Sequence, residues 1–279
     1  MATVTAAFAA SHAPMMLAAA DSAPAGQRDA FMTGLEQAAA RVRASGAQAV
    51  IILSNEHFTN FFLENFPQCC VGVAEANTGP SEPWLPIPRR PVPGAPDLAH
   101  GLLTGLNDQG LTPSFSQHLT LDHGIMTIYH AIDPDGRLPL VPVLQNCAVR
   151  PMLTLRQWFA FGRRLRAAIE ACTAVDRVAL VAAGGLSHWI GNERIGDIDE
   201  DFDRWFLDRL EKNTFDDVLD MDDDELEQAG NGAHEIRSWL TLAAAVDRPA
   251  RVLAYEPIRP WVTGMGVAEY DMSEPGTSR

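Results

Sequence analysis

Four histidines each directly follow a predicted β-strand, where the side chains of an α/β sheet can act together. They are His12 in "ASHAP", His57 in "LSNEH", His123 in "LDHG" and His188 in "GGLSHW". In open α/β sheets, ligands bind in the crevice outside the carboxyl ends of the strands. If the strands are parallel neighbours, the four imidazoles meet in one crevice, where they can bind a metal ion or carry protons. One such histidine alone could merely cap a turn, but four together favour a functional site.

Glu235 is the carboxylate that could complete such a site. It lies in "GNGAHEIRSW", in the predicted first turn of a helix introduced by two glycines. A glutamate there is ordinarily a partner of the helix dipole. As part of a two-histidine, one-carboxylate set it would leave about three coordination positions open, which suits non-haem Fe(II) oxygen chemistry. A structural zinc site would close with four protein ligands, and no cysteine lies near these positions. His234 would face elsewhere, because adjacent helical residues do not share a face.

A second chemistry is suggested by Ser187, which stands in the glycine turn of "VALVAAGGLSHWIG". The turn begins like a nucleophile elbow, but Trp189 occupies the place of the second glycine. A hydrolase triad would also need an acid and then a histidine after Ser187, and His234 is the only histidine left. A serine hydrolase would leave three of the four strand-end histidines unexplained. We therefore interpret Ser187 as a turn residue and keep the hydrolase as the alternative.

Apolar runs and helical spacing predict alternating strands and helices. The predicted strands cover 3–10, 47–53, 114–121, 138–144, 177–183 and 251–258, and the predicted helices 28–45, 97–109, 155–172 and 233–246. Gly46 follows the first helix as a natural C-cap. A strand–helix–strand unit favours parallel pairing with a right-handed crossover. The alternation predicts an α/β fold with a single domain, 1–279, whose mostly parallel or mixed central sheet is flanked by helices.

Three segments stand apart from this alternation. Residues 79–96, "GPSEPWLPIPRRPVPGAP", hold seven prolines and are predicted to form no regular structure, but an ordered excursion over the surface. The acidic stretch 197–228 lacks the glycine that a calcium loop needs, and we interpret it as solvated helical faces. Residues 271–279 are predicted to be a short flexible tail.

Composition restricts the partners and the compartment. A formal net charge of −15 argues against nucleic acid and anionic membrane surfaces, because both would be repelled. The four cysteines (Cys69, Cys70, Cys147 and Cys172) form no C-x-x-C pair and are interpreted as buried hydrophobes in a reducing compartment. No signal peptide is expected, and no apolar run approaches the roughly 20 residues that cross a bilayer. We expect a soluble, cytoplasmic protein.

The placed motifs resemble those of the class III extradiol ring-cleaving dioxygenases, the superfamily of the protocatechuate 4,5-dioxygenase β subunit. The marks are "SHAP", "SNEH", "LDHG", "AAGGLSHW" and "NGAHEIRSW", in the family's order along nearly the whole chain. The resemblance implies that His12, His57 and Glu235 bind Fe(II). It implies that His188 is the acid–base residue and His123 a second active-site histidine.

The same resemblance implies positions for two polar residues and a reaction. Asn55 and Asp122 are expected beside the metal ligands or the substrate. The implied reaction opens the ring of a catechol, carboxylated as in protocatechuate or gallate, with O2 to a muconic semialdehyde-type product. His188 would take a proton from the diol and return it, and His123 would orient the substrate. A non-catalytic or zinc-binding member of the superfamily is the remaining alternative.

One departure from the family concerns the second motif, where "NEH" replaces "NDH" and lengthens the acidic side chain. Another is that no segment resembles the small α subunit that caps the protocatechuate enzyme. Either a separate chain supplies that lid, or the proline-rich excursion and a neighbouring copy do. We expect a homo-oligomer, with or without such a small subunit.

Overall fold

A computed structural model describes residues 1–273, which hold ten strands. The strands are β1 (Thr3–Ala10), β2 (Ala49–Asn55), β3 (Cys69–Gly72), β4 (Ala76–Gly79), β5 (Arg90–Pro93), β6 (Ser114–Ser116), β7 (Leu140–Gln145), β8 (Arg177–Ala183), β9 (Ala250–Ile258) and β10 (Thr263–Tyr270). Residues 274–279, the larger part of the predicted tail 271–279, lie outside the described residues.

Helices alternate with strands along much of the chain. The α-helices are α1 (Met15–Ala18), α2 (Ala25–Ala44), α3 (Pro96–Asp108), α4 (His123–Ile132), α5 (Leu155–Ala171), α6 (Glu200–Lys212), α7 (Asp216–Leu219), α8 (Asp223–Glu227) and α9 (Ile236–Val246). Short 3-10 turns cover Ala20–Ser22, Ala233–Glu235 and Arg259–Trp261.

Eight strands form one mixed sheet in the order β6-β3-β7-β2-β8-β1-β10-β9, and β4 and β5 form a separate pair. The four central strands, β7, β2, β8 and β1, are mutually parallel. On one side β10 and β9 continue the sheet antiparallel. On the other side β3 runs antiparallel to β7. The α/β prediction with a mostly parallel or mixed sheet is confirmed.

The core lies on both faces of the sheet because side chains alternate along each strand. Along β2, Ile51 faces a cluster that contains Trp158 of α5 and Trp239 of α9. Its neighbour Ile52 faces the opposite cluster, with Phe31 of α2. All five side chains are fully buried, and burying each contributes roughly 1.5–3 kcal/mol. The central strands are therefore held rigidly, and their carboxyl ends are fixed relative to one another.

The prediction of a strand over 114–121 is wrong beyond Ser116. The backbone of Leu119 and Leu121 bonds to Thr78, and the side chain of Asn60 bonds both the N–H and the carbonyl of Thr120. These partners replace a strand ladder, and they turn the chain toward α4.

The prediction that 79–96 holds no regular structure is also wrong in part. Residues Arg90–Pro93 pair with Ala76–Gly79 as a two-stranded ribbon. Each strand of the ribbon is an edge strand, where proline's missing N–H is tolerated.

The acidic stretch is helical as predicted, and it forms α6, α7 and α8. Most of its carboxylates are exposed, but Asp203 is completely buried, so the interpretation as solvated faces fails at that residue. The four cysteines are buried and free. In the described part of the chain, no helix has both the length and the apolar character that a membrane span requires.

Candidate metal centre

Three of the strand-end histidines come from neighbouring parallel strands. β8 lies between β1 and β2, and Ala183 at its end is paired with both Ala10 and Ser54. His12, His57 and His188 follow these three strand ends within a few residues. The crevice expected at the carboxyl ends of the strands therefore holds all three side chains.

His123 reaches the same place by another route. Strand β6 lies at the sheet edge, and its partner β3 runs antiparallel to β7, so the proposed parallel strand end is wrong for His123. Instead, His123 is the first residue of α4, and the Asp122 side chain caps that helix by accepting the Gly124 N–H at 2.9 Å. The His123 ring centroid lies 4.4 Å from that of His57 and 5.6 Å from that of His12.

The imidazoles of His12, His57 and His123 form a cluster that could hold a metal ion. Each offers one ring nitrogen within 4.8 Å of the nitrogens of the other two. One buried polar atom of this cluster, His12 Nδ1, has no hydrogen-bond partner among the described residues. Three imidazole nitrogens this close together are compatible with a metal site.

Glu235 supplies a carboxylate to this cluster. It ends the 3-10 turn Ala233–Glu235 directly before α9, rather than lying in the first turn of the helix as predicted, and it is 3% exposed. Its Oε2 lies 3.0 Å from His12 Nε2, and its Oε1 lies 3.4 Å from His57 Nε2. Two ligands bonded at right angles to one metal, each at roughly 2.1 Å, stand about 3.0 Å apart. The distance from Glu235 to each of the two histidines is therefore compatible with binding to one ion, although each contact uses a different carboxylate oxygen.

Neutral groups also fix the Glu235 carboxylate. Its Oε1 accepts the Asn55 amide at 3.3 Å, and its Oε2 accepts the Gly185 N–H at 2.5 Å. Asn55 is held in turn by the Cys147 N–H, which donates to its side-chain oxygen at 3.1 Å. Burial raises the pKa of Glu235, but the charges and hydrogen bonds of His12 and His57 outweigh it, so the pKa lies well below its ordinary value. Glu235 is thus an ionised carboxylate.

His57 is oriented by Asp122. Its Nδ1–H donates to Asp122 Oδ2 at 2.9 Å, and its Nε2 lies 3.4 Å from Glu235 Oε1, so in the neutral ring the lone pair is on Nε2. Burial lowers the pKa of His57, but Asp122 and then Glu235 outweigh it, and the pKa is raised well above its ordinary value. Burial raises the pKa of Asp122, yet His57 lowers it more. A carboxylate behind a histidine in this way is the usual support of a metal-binding imidazole. By contrast, burial keeps the pKa of His12 below its ordinary value.

His188 stands slightly farther from the carboxylate. Its Nε2 is 3.9 Å from Glu235 Oε1, and its Nδ1 lies 2.8 Å from the Leu186 carbonyl oxygen. Because a carbonyl can only accept, the proton of the neutral ring is on Nδ1 and the Nε2 lone pair is free. Gly232 packs against this ring so closely that a Cβ at that position would collide with Nε2. In the neutral ring, His188 therefore presents an acceptor nitrogen beside the cluster.

A carboxylate that the sequence reasoning missed supports His123. Glu82, in the proline-rich segment 79–96, accepts the Nδ1–H of His123 at 2.6 Å and its backbone N–H at 3.0 Å. Burial raises the pKa of Glu82, but the hydrogen bonds to His123 lower it by more, so the pKa lies below its ordinary value. The His123 ring is thereby fixed with Nε2 free.

Glu56, the variant residue of "NEH", is a second carboxylate whose role was missed. It is buried, and its Oε1 accepts the N–H groups of Thr59 at 2.5 Å and Asn60 at 2.6 Å. Asn60 then bonds the backbone of Thr120, two residues before Asp122. Glu56 therefore ties the loop after His57 to the segment that carries Asp122 and His123.

Two residues considered for other chemistry lie outside the cluster. Ser187 is fully buried and donates to Asp203 Oδ2 at 2.8 Å, so it has neither the exposure nor the histidine partner of a hydrolase nucleophile. His234 points away as expected, with its Nδ1 2.7 Å from Arg237 Nη1.

Comparison with known proteins identifies the family of this chain. Residues 6–266 match the model of the catalytic LigB subunit of aromatic ring-opening dioxygenase. Among the curated relatives are two proteins named 2,3-dihydroxyphenylpropionate/2,3-dihydroxicinnamic acid 1,2-dioxygenase. The one from Rhodococcus rhodochrous is 26% identical, with coverage of 92% of this chain and 95% of its own. The one from Photorhabdus laumondii is 24% identical, with coverage of 92% and 94%.

The fold is also that of a solved structure. An uncharacterized protein of Escherichia coli K12, JW3007, superposes with a TM-score of 0.61 at 17% identity, over 95% of this chain and 99% of its own. That likeness concerns the fold alone. The match of the family model over nearly the whole chain shows the family: this chain belongs to the catalytic LigB subunits of aromatic ring-opening dioxygenases.

Proposed function

We propose that the protein is an Fe(II)-dependent extradiol dioxygenase that opens the ring of a carboxylated catechol with O2. The metal would be held by His12, His57 and Glu235. The observation that carries the proposal is the buried Glu235 carboxylate, whose two oxygens lie 3.0 and 3.4 Å from His12 Nε2 and His57 Nε2. Two histidines and one carboxylate are the ligand set of non-haem Fe(II) oxygenases.

The electrostatics of the three ligands support a divalent cation. An ionised carboxylate this deeply buried needs compensation by positive charge. Burial lowers the pKa of His12, and although burial also lowers the pKa of His57, Asp122 and Glu235 raise it. A metal ion between the two rings would take the place of ring protons as the positive charge beside Glu235.

Ferrous iron bound there supplies the electron exchange that makes O2 reactive toward an aromatic diol. The protein residues around it handle protons and position the ring. His188 keeps its Nε2 lone pair free and lies 3.9 Å from Glu235, so it can accept a proton from a diol hydroxyl and return it later. His123, fixed by Glu82, presents its own Nε2 as a hydrogen-bond partner for a substrate oxygen. Both oxygen atoms of O2 enter the product, a muconic semialdehyde-type acid.

The substrate class rests on the curated relatives. Their names specify dihydroxyphenylpropionate and dihydroxycinnamic acid, which are diols with a carboxylate at the end of a side chain. Protocatechuate and gallate, the class implied by the motif resemblance, carry the carboxylate directly on the ring. We propose that the substrate is a carboxylated catechol. Testing diols with the carboxylate on the ring and diols with it on a side chain shows which position the site accepts.

The test is anaerobic reconstitution with Fe(II), followed by addition of oxygenated buffer and one diol at a time. The panel is catechol, protocatechuate, gallate and 2,3-dihydroxyphenylpropionate. A yellow ring-fission product that forms with equimolar O2 uptake supports the proposal. Iron-loaded protein that consumes no O2 with any diol contradicts it.

A parallel reconstitution with Zn(II) is the matched control. The three imidazoles alone would also suit a catalytic zinc ion, but zinc has no accessible redox change. The zinc-loaded protein should therefore bind the diol without consuming O2.

A further inference from the structure

We propose that Asp203 is a positioning residue of the reaction: through Ser187 and Tyr255 it holds the turn that presents His188 to the metal centre. The inference rests on the proposed function for the role of His188. The hydrogen bonds of Asp203 to Ser187 and Tyr255, which we call the clamp, are contacts of the structure itself. The inference also gives Ser187 a role in holding the turn, different from the nucleophile of the hydrolase alternative.

Asp203 gathers the turn by three hydrogen bonds. Its Oδ1 accepts the Ser187 N–H at 2.7 Å, and its Oδ2 accepts the Ser187 hydroxyl at 2.8 Å and the Tyr255 hydroxyl at 2.8 Å. Ser187 in turn accepts the Asp199 N–H at 2.8 Å. One carboxylate thus connects α6, β9 and the turn after β8.

The sheet closes the other side of this clamp. The Gly264 N–H donates to the Ser187 carbonyl at 3.0 Å. A Cβ at Gly264 would collide with Asp203 Oδ2, so a side chain at this point of β10 would exclude the carboxylate. The backbone of Ser187 is therefore held at its N–H by Asp203 and at its carbonyl by Gly264.

His188 is the next residue, and its ring has little freedom of its own. Its Nδ1 is bonded to the Leu186 carbonyl, on the other side of Ser187. The direction of Nε2 therefore depends on the backbone of the turn. A displacement of about 1 Å at a reacting group can cost roughly a hundredfold in rate, so the anchor of this turn matters for catalysis.

A carboxylate can accept from all three neighbours at once. The Ser187 N–H can only donate, and the Ser187 hydroxyl donates to Asp203 Oδ2 at 2.8 Å, with the Asp199 carbonyl at 3.3 Å as its second acceptor. An asparagine would keep one acceptor oxygen for the Ser187 N–H, but its N–H₂ group would require the two hydroxyls to accept instead of donate. A protonated aspartic acid would lose acceptor capacity at one oxygen in the same way.

The protonation state of this carboxyl is sensitive near neutral pH. Burial raises the pKa of Asp203 to about 7, although the bonds from Ser187 and Tyr255 lower it. Asp199 raises it further, and Glu200 and Arg204 face Tyr255 from α6. Below that pKa the Asp203 carboxyl is protonated and loses acceptor capacity at one oxygen. Above it the ionised carboxylate can accept all three hydrogen bonds of the clamp.

The test compares Asp203→Asn with Asp201→Asn, an exposed aspartate of the same helix. We expect Asp203→Asn to lower kcat by about ten- to a hundredfold, with KM for the diol and iron content unchanged. The wild type should gain kcat as the pH rises through about 7, and Asp203→Asn should lack that limb. Asp201→Asn should match the wild type throughout.

A readout without turnover separates this inference from the proposed function. In metal-free protein, the side-chain ¹H–¹⁵N signals of His188, assigned with His188→Gln, should shift or broaden in Asp203→Asn and stay unchanged in Asp201→Asn. If the wild type cleaves no diol, these signals alone decide the clamp. If Asp203→Asn does not fold, Tyr255→Phe removes one of the three bonds and should show a smaller shift in the same direction. His188 signals that superpose on the wild type in the folded variant, with an unchanged pH profile, would overturn the proposal.

Discussion

The replacement Asp122→Asn tests whether the orientation of His57 sets the affinity for iron. Asp122 has two roles, because Oδ1 caps α4 through the Gly124 N–H and Oδ2 accepts the Nδ1–H of His57. Asparagine is as good a helix cap as aspartate, so it can keep its oxygen on Gly124. Its N–H₂ group then faces His57 Nδ1, which must become an acceptor. The ring proton moves to Nε2, the atom proposed to bind the metal.

The magnitude follows from that change of tautomer. Loss of the partner behind a metal-binding histidine costs about ten- to a hundredfold in metal affinity, or about 1.4–2.7 kcal/mol. The cap is retained, but the ion pair between Asp122 and His57 is lost, so we expect the metal-free variant to stay folded with a lower thermal stability than the wild type. Anaerobic titration with Fe(II) against a chromogenic ferrous chelator measures the affinity.

Asp222→Asn is the matched control for this experiment. Asp222 also caps a helix, α8, by accepting two backbone N–H groups, and it is exposed and contacts no imidazole. It should bind iron as the wild type does. An Asp122→Asn variant with wild-type iron affinity would refute the idea that Asp122 fixes His57 for a metal.

Three further replacements probe the carboxylate, the proton carrier and the support of His123. Glu235→Ala should lose iron, because it removes the only proposed anionic ligand. Elemental analysis after reconstitution measures the iron content, and an unchanged content would mean that the ligand set is misassigned. His188→Ala should keep iron but lower kcat by about a hundred- to ten-thousandfold, and full turnover would remove His188 from the mechanism. Glu82→Gln should keep iron and lower kcat by about tenfold, because an uncharged amide oxygen is a weaker acceptor than the carboxylate oxygen Oε1 that accepts both His123 N–H groups. Rates equal to the wild type would show that Glu82 does not support His123 in the reaction.

The sequence was sufficient to place the residues whose position depends on strand ends. Runs of buried residues predicted β1, β2 and β8, and the polar residues after them had to meet once these strands were parallel neighbours. His12, His57 and His188 are brought together for that reason. Glu235 could be proposed as the carboxylate in the first turn of a helix introduced by two glycines, although the sequence did not show that a 3-10 turn carries it.

The supporting carboxylates could not be found in this way. Glu82 reaches His123 across 41 residues, and Glu56 connects to Thr120 through the amide of Asn60. Asp203 is one acid among many in α6, and only tertiary packing buries it. Such contacts have no period or spacing in the sequence. The turn toward α4 was missed for the same reason, because residues 119–121 bond to the Asn60 side chain and form only an isolated bridge to Thr78 of β4.

The most direct test of the metal centre is an anaerobic crystal structure of the iron-loaded protein, with anomalous diffraction measured on both sides of the iron absorption edge. We predict one anomalous peak within bonding distance of His12, His57 and Glu235, with the His123 and His188 side chains unbonded beside it. A peak bonded to His123 in place of Glu235, or no peak in the crevice, would contradict the account.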